Sequence, residues 1–175
     1  DVLGWSAAET ASLLGVSVAA ANSALQRART TLGRSLPRRR LDWSAQPGPS
    51  AEERALLDRY VEANDSGDAA AFVEILREDA LFAMPPQPGR WVGAEAILAA
   101  WVEGGFGSPE FGELRSLLTG ANGQPAVACY HRGPGEDVYR PLALDVLRLE
   151  EGRVAEIVTF PLAPLVEAFG LPASL

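Results

Sequence analysis

A run of polar and basic residues near the start of the chain has the chemistry of a surface that reads double-stranded DNA. Asn22, Ser23, Gln26, Arg27 and Arg29 recur at spacings that place them on one side of a helix. Asparagine and glutamine can pair bidentately with adenine, and arginine can pair with guanine or with a backbone phosphate. The spacing alone fits the solvated face of an ordinary helical hairpin equally well, so both interpretations stay open here.

Three residues in the second half of the chain could carry acid–base or nucleophilic chemistry. His131, the only histidine, could titrate near neutral pH, but its place beside a glycine–proline turn favours a strand-end surface position. Asp145 interrupts an apolar run, so it is either buried with a partner or on a solvated face. Cys129, the only cysteine, is expected to be a small buried residue. Because no catalytic triad, metal-ligand cluster or phosphate-binding loop is visible, we predict no catalytic residue, no metal and no cofactor.

Two short helices are predicted to position the polar face. The Ser6-x-x-Glu9 spacing indicates a capping box, and Gly15 lies where a left-handed residue would end the first helix. Ser17 can then cap a second helix. The inward stripes are predicted to contain Ala7, Ala11 and Leu14 in the first helix and Ala21, Leu25, Ala28 and Leu32 in the second. Two helices joined by a tight glycine turn are typical of a helix-turn-helix.

The charge distribution divides the chain. Residues 1–46 carry six arginines against three acidic residues, a formal charge of +3. Since the whole chain has a formal charge of -8, residues 47–175 carry -11. The change coincides with a stretch rich in turn formers, residues 33–50, that reads as a linker. Arg38, Arg39 and Arg40 in this stretch are interpreted as solvated linker residues. The overall acidity is therefore compatible with a small DNA-binding module.

After the linker, the pattern predicts helices first and a meander of strands after them. Predicted helices cover 52–64, a segment capped by Asp68, 93–102 and 165–169. Predicted strands cover 79–84, 114–119, 126–131, 142–149 and 154–160. This order indicates the α+β class with an antiparallel sheet, since alternating βαβ units are missing. No uncharged apolar stretch approaches the roughly 18 residues of a membrane span, so we expect no membrane association.

Both halves resemble known families. Residues 4–32 resemble the helix-turn-helix of region 4 in extracytoplasmic-function sigma factors, and Asn22-Ser-Ala-Leu-Gln-Arg-Ala-Arg29 is the most specific part. The second half is similar to SnoaL-like domains in Phe82-Ala-Met-Pro-Pro86, in Trp91-x-Gly93-x-x-x-Ile97 and in residues 152–160. This order of modules resembles a subgroup of sigma factors that carries a C-terminal SnoaL-like domain.

The resemblance implies three parts: a truncated sigma region 4 at 1–36, a linker at 37–50 and a SnoaL-like domain at 51–175. The last would be a cone-shaped α+β barrel with a curved antiparallel sheet. The implied partners are −35 promoter DNA and the RNA polymerase core, in the cytoplasm. The implied DNA-binding residues are Ser17, Asn22, Ser23, Gln26, Arg27 and Arg29.

The resemblance also implies a pocket between the sheet and the helices, suited to a small apolar ligand. Its candidate lining residues are Phe82, Met84, Trp91, Trp101, Tyr130, His131, Arg140, Asp145 and Phe160. Taken singly, each aromatic residue is more simply explained by core packing. The outer face of the sheet is a candidate homodimer interface.

The predicted function is a bacterial sigma factor whose C-terminal domain regulates its activity. The alternative is a SnoaL-type enzyme, such as a cyclase, isomerase or hydrolase of a small apolar substrate, with a helix-turn-helix appendage. Because the chain starts at Asp1 and lacks the region that reads the −10 element, we expect a fragment that does not initiate transcription alone.

Overall fold

The computed structural model describes residues 6–35 and 48–175, and the chain divides into two compact units, Asp1–Ala45 and Gln46–Leu175. The predicted linker residues 37–47, with the three arginines Arg38, Arg39 and Arg40, lie outside the described part.

The first unit contains α1 (Ala7–Leu14) and α2 (Val18–Ser35). Both ends of α1 and the start of α2 lie where the capping residues predict. Ser6 and Glu9 form the capping box, and Gly15 ends α1 in the left-handed conformation at φ 64°. The backbone N–H of Ala20 donates to Ser17 Oγ across 3.1 Å, so Ser17 caps α2.

Among the described positions of the predicted inward stripes, only Ala11 and Ala21 are buried, so the prediction is wrong for most of each stripe. Ala11 and Ala21 are buried, but Leu14 and Leu25 are 61% and 41% exposed, and Ala28 is also exposed. Two helices can cover each other only along one line of contact, and within residues 6–35 no third helix covers the remaining stripe. The side chain of Leu32 lies outside the described part.

The second unit begins with α3 (Ala51–Ser66) and α4 (Ala69–Ile75), whose ends are fixed by local hydrogen bonds. Ser50 and Glu53 form a capping box on α3, and Gly67 ends that helix at φ 66°. Asp68 Oδ1 then accepts from the first N–H groups of α4, as the sequence predicts.

The sheet is curved, open and mixed, which corrects the prediction of a fully antiparallel one. Its strands are β1 (Leu76–Ala83), β2 (Arg90–Val92), β3 (Glu113–Ala121), β4 (Gln124–Arg132), β5 (Arg140–Glu150) and β6 (Arg153–Pro161), and α5 (Ala94–Glu103) follows β2. Their order is β2-β1-β6-β5-β4-β3, with β1 parallel to β6 and every other pair antiparallel. The turns predict the hairpins, but no local signal identifies β6 as the partner of β1, because the whole meander separates them in sequence.

Two apolar clusters lie on opposite faces of the sheet. Alternation along β4 separates them, since Val127 and Cys129 face the helices while Ala128 and Tyr130 face the other way. The second cluster is covered by residues 162–175, whose Leu175 pairs with Tyr139 through two backbone hydrogen bonds of 3.0 Å. The predicted helix at 165–169 is wrong: a 3-10 turn at Ala163–Leu165 is followed by further turns. Pro164 at the start favours such a tight turn.

Candidate functional site

The exposed face of α2 carries the residues predicted to contact DNA. Asn22, Ser23, Gln26, Arg27 and Arg29 are all exposed along this helix. Ser17 precedes them as the capping residue, and its hydroxyl is engaged by the Ala20 N–H. The face therefore presents amides, a hydroxyl and guanidinium groups, which suit base edges and phosphates.

The structure distributes the predicted pocket residues over both faces of the sheet. Phe82, Met84, Trp91 and Trp101 belong to the cluster beneath the helices, where Phe82 and Trp101 pack edge to face at 5.4 Å between ring centroids. Tyr130 and Phe160 belong to the opposite cluster. These six residues therefore do not form a single cavity lining.

His131 and Arg140 lie on paired strands near one end of the sheet. The His131 ring packs against Phe111 at 4.6 Å between centroids, and its Nε2 contacts the Phe111 carbonyl oxygen. Arg140 is exposed. His131 is half-buried, and the carbonyl contact engages one of its two ring nitrogens.

Asp145 is the centre of a buried polar group that ties α3 to the sheet. Its Oδ2 accepts from the Tyr60 hydroxyl at 3.0 Å and from the Cys129 thiol at 3.5 Å, while its Oδ1 accepts from the Thr159 hydroxyl at 2.5 Å. Asp145 is 7% exposed and Tyr60 is fully buried. The carboxyl group therefore receives three described hydrogen bonds, all from neutral donors.

Asn64, one turn after Tyr60 on α3, extends this group toward β3. Its Nδ2 donates to Ser116 Oγ at 2.8 Å and to Cys129 Sγ at 3.4 Å. Asn64, Ser116 and Cys129 are all buried. One face of α3 thus contributes two polar side chains to the interior, one to Asp145 and one to the β3–β4 pair.

Burial raises the pKa of three side chains in this cluster, Asp145, Tyr60 and Cys129. Removal from water raises the pKa of the Asp145 carboxyl above its ordinary value, although its hydrogen bonds from Thr159, Tyr60 and Cys129 oppose that rise. Burial likewise raises the pKa of the Tyr60 hydroxyl and of the Cys129 thiol well above their usual values, and the neighbouring Asp145 adds to both. The neutral forms of all three groups are therefore favoured, so Cys129 is a poor nucleophile.

A cleft of about 230 Å³ lies at the C-terminal end of α3 and is called the α3-end cleft below. One wall is the end of the helix, Asn64 to Gly67, and the other is the segment 106–114. A Cβ atom on Gly107 would lie 2.6 Å from the Gly67 carbonyl oxygen, so the two backbones meet without side chains between them. Neither this cleft nor a larger groove of about 420 Å³ between α3 and α4 is lined by Asp145.

Only part of this arrangement is apparent from the amino-acid sequence. Cys129 was expected to be buried, and Asp145 was expected either to be buried with a partner or to lie on a solvated face. The contact between Tyr60 and Asp145 joins residues 85 positions apart. Asn64, Ser116 and Thr159 were missed. A buried asparagine within an apolar helical stripe is a signal that could have indicated Asn64, whereas Ser116 and Thr159 carry none.

Within the described ranges, no cluster of three or more His, Cys, Asp or Glu side chains is arranged to hold a metal ion. None of the helices in those ranges combines the length and the apolar character that crossing a bilayer requires.

Comparison with known proteins matches both halves of the chain. The family described as "SnoaL-like domain" matches residues 57–157, and the family described as "Sigma-70, region 4" matches residues 1–32. Over all 175 residues the chain is 39% identical to the ECF RNA polymerase sigma factor SigG of Mycobacterium tuberculosis, in two strains. The chain spans 46% of the length of that relative.

Solved structures share the fold of the second unit at low identity. An NTF-2 like protein of unknown function from Burkholderia xenovorans aligns with a TM-score of 0.51 and 16% identity, over 62% of this chain and 80% of that one. An ntf2-like protein of unknown function from Mesorhizobium loti aligns with a TM-score of 0.50 and 18% identity, over 66% of this chain and 95% of that one. These similarities concern the fold alone.

Proposed function

Because this chain belongs to the SnoaL-like domain family and matches sigma-70 region 4 ahead of that domain, we propose that it is part of a bacterial RNA polymerase sigma factor. In this proposal α2 recognises −35 promoter DNA, the first unit binds the polymerase core, and the SnoaL-like domain regulates both. The cytoplasm follows as its location, since promoter DNA and polymerase are there. The 39% identity with a sigma factor over the whole chain supports the proposal.

One observation carries the DNA-binding part of the proposal. The region 4 match at residues 1–32 coincides with a helix whose exposed face bears Asn22, Gln26 and Arg27. In helix-turn-helix proteins the second helix enters the major groove and its polar side chains contact base edges. The exposed positions and the capped start of α2 fit that role.

The regulatory part of the proposal rests on the presence of a SnoaL-like domain after region 4 in the same chain. A ligand can change the output of the first unit only if it binds two states of the protein with different affinity. Trp91 and Met84 are half-buried against the apolar cluster beneath the helices, which is the candidate site for a small apolar ligand. The homodimer stays a prediction, and residues 162–175 already cover much of the sheet face that it would use.

The enzyme alternative is less well supported by the interior of the second unit. Catalysis by Asp145 needs a carboxyl group that reaches a bound substrate. Asp145 is buried, and three neutral donors from Tyr60, Cys129 and Thr159 already engage both of its oxygens. The arrangement favours a role in joining α3 to the sheet.

The DNA-binding proposal can be tested on residues 1–175. Duplexes are selected from a random pool, and their affinity is then measured by fluorescence anisotropy for the wild type, R27A and R54A. R27A should weaken specific binding about tenfold or more, because a bidentate guanidinium–guanine contact accounts for that much discrimination. R54A removes the same charge from α3 and should change the affinity less than twofold. If no sequence is enriched, or if both variants bind like the wild type, the proposal fails.

A further inference from the structure

The α3-end cleft presents a buried hydrogen-bond acceptor and a negative charge. It lies between the last turn of α3 and the segment 106–114, and its volume is about 230 Å³. Sites for drug-sized ligands usually occupy about 300–1,000 Å³. An occupant of this cleft must therefore be small.

Asn64 supplies the acceptor. This side chain is only 6% exposed, and its Nδ2 is fully used by Ser116 and Cys129. No hydrogen bond within the described part of the chain reaches its Oδ1, although Asn64 lines the cleft. A buried carbonyl oxygen without a partner is costly, so a donor in the cleft would be bound favourably.

The charge around the cleft selects a cationic donor. Asp65 lines the cleft, is exposed, and has no ion pair within residues 6–35 and 48–175. The C-terminal end of α3 adds the negative end of a helix dipole, worth about half a charge. Glu113 also lines the cleft, but its carboxylate is already shared by Arg132 and Tyr139, each at 2.6 Å. Asp65 is therefore the carboxylate that remains for a ligand.

Two serine hydroxyls also line the cleft, and both make local hydrogen bonds, Ser66 to the Glu62 carbonyl oxygen and Ser108 from the Phe111 N–H. Phe106, Phe111 and Leu114 line one side and give the cleft an apolar wall. The contact between Gly67 and Gly107 leaves no side chain to fill the space. The cleft thus combines an acceptor, a negative charge and an apolar wall.

From these contacts we propose that the α3-end cleft binds a small primary amine with an apolar body, its ammonium group donating to Asn64 Oδ1 and lying near Asp65. The site is distinct from the apolar cluster that contains Phe82 and Trp101. Binding would stiffen the last turn of α3, which connects through Asn64 and Cys129 to Asp145. A use of this binding as a regulatory signal rests on the sigma-factor proposal, whereas the binding itself does not.

The probe is benzylamine, titrated into residues 1–175 at low ionic strength with benzyl alcohol as the neutral analogue. Amide chemical shifts of Asp65, Gly67, Gly107 and Phe111 should move saturably with the amine, and affinity for the alcohol should be at least about fivefold weaker. D65N should weaken amine binding about two- to fivefold, the effect of one exposed charge. D58N, which removes a charge from the same helix away from the cleft, should leave it unchanged.

N64L removes the acceptor and should weaken the binding of benzylamine at least about tenfold. If N64L does not fold, the D65N variant and the comparison of benzylamine with benzyl alcohol still decide whether the α3-end cleft binds the amine. Shifts that do not saturate, equal affinity for amine and alcohol, or equal effects of D65N and D58N would overturn the proposal. Because this titration involves neither DNA nor polymerase, its failure leaves the sigma-factor proposal untouched, and a failure of DNA binding leaves the amine site untouched.

Discussion

The hydroxyl of Tyr60 on α3 donates a hydrogen bond to Oδ2 of Asp145 on β5 across 3.0 Å. This contact connects the first helix of the second unit to the middle of its sheet, where Asp145 pairs with Thr159 on β6 and Val127 on β4. Both side chains are buried, so the hydrogen bond fixes the position of α3 against the strands.

Replacing Asp145 by Asn should change how stability depends on pH. Burial raises the pKa of Asp145 in the folded protein, so the stability it contributes is fully present below its ordinary pKa of about 3.9 and is lost as pH rises through the higher folded value. Relative to D145N, the wild type should therefore lose stability as the pH rises above about 4.

Urea unfolding of both proteins at several pH values measures this difference. Comparing wild type with D145N at each pH removes the contribution of the other carboxylates. A difference that stays constant, or a wild type that gains stability over the variant as pH rises, would show that the carboxyl pKa is not raised.

Removing the Tyr60 hydroxyl should destabilise the second unit. Y60F leaves a buried carboxyl group with one donor fewer, and the expected loss is about 1–3 kcal/mol of unfolding free energy. In the double variant Y60F/D145N the loss should be smaller than the sum of the single changes, since both act on one hydrogen bond. Additive losses would mean that the two side chains do not interact.

Tyr130 offers a matched change on the opposite face of the sheet. Its hydroxyl donates to the Pro172 carbonyl oxygen at 2.7 Å, so Y130F should loosen residues 162–175. Hydrogen exchange should speed up at the amides of Tyr139 and Leu175, while global stability falls by less than about 1 kcal/mol. Unchanged exchange at these two amides would indicate that the apolar contacts alone hold the segment.

The close approach of Gly67 and Gly107 can be tested with a paired substitution. Gly107 and Gly135 have nearly equal φ values, 78° and 80°, but only at Gly107 would a Cβ atom meet another backbone, 2.6 Å from the Gly67 oxygen. G135A should cost about 1–2 kcal/mol from backbone strain. G107A should cost clearly more, and equal costs would contradict the close approach.

Local signals predicted the element ends well, because capping is a short-range interaction. Ser6, Gly15 and Asp68 each end or start a helix where the sequence indicates. The α+β class followed from the order of helices and apolar runs. The prediction that Leu14 and Leu25 are buried was wrong, because an apolar stripe on a helix does not show whether another element covers it.

Long-range relationships could not be predicted from spacing. The parallel pairing of β1 with β6 and the contact of Tyr60 with Asp145 both depend on strand order and register. β2 has only three residues, too few for an alternating pattern. Asp145 was recognised as unusual within an apolar strand, but its partners on α3, β4 and β6 become adjacent only in the folded sheet.

A sigma factor regulated by its SnoaL-like domain should require the first unit for transcription and should respond to loss of the second. The most direct measurement is transcription by the RNA polymerase core with the full-length factor that contains this chain, with and without residues 51–175, and with R27A. We predict promoter-specific transcripts, their loss with R27A and a several-fold change in yield when residues 51–175 are deleted. Transcription no greater than that of the core alone would contradict the sigma function, and an unchanged yield on deletion would contradict the regulatory role.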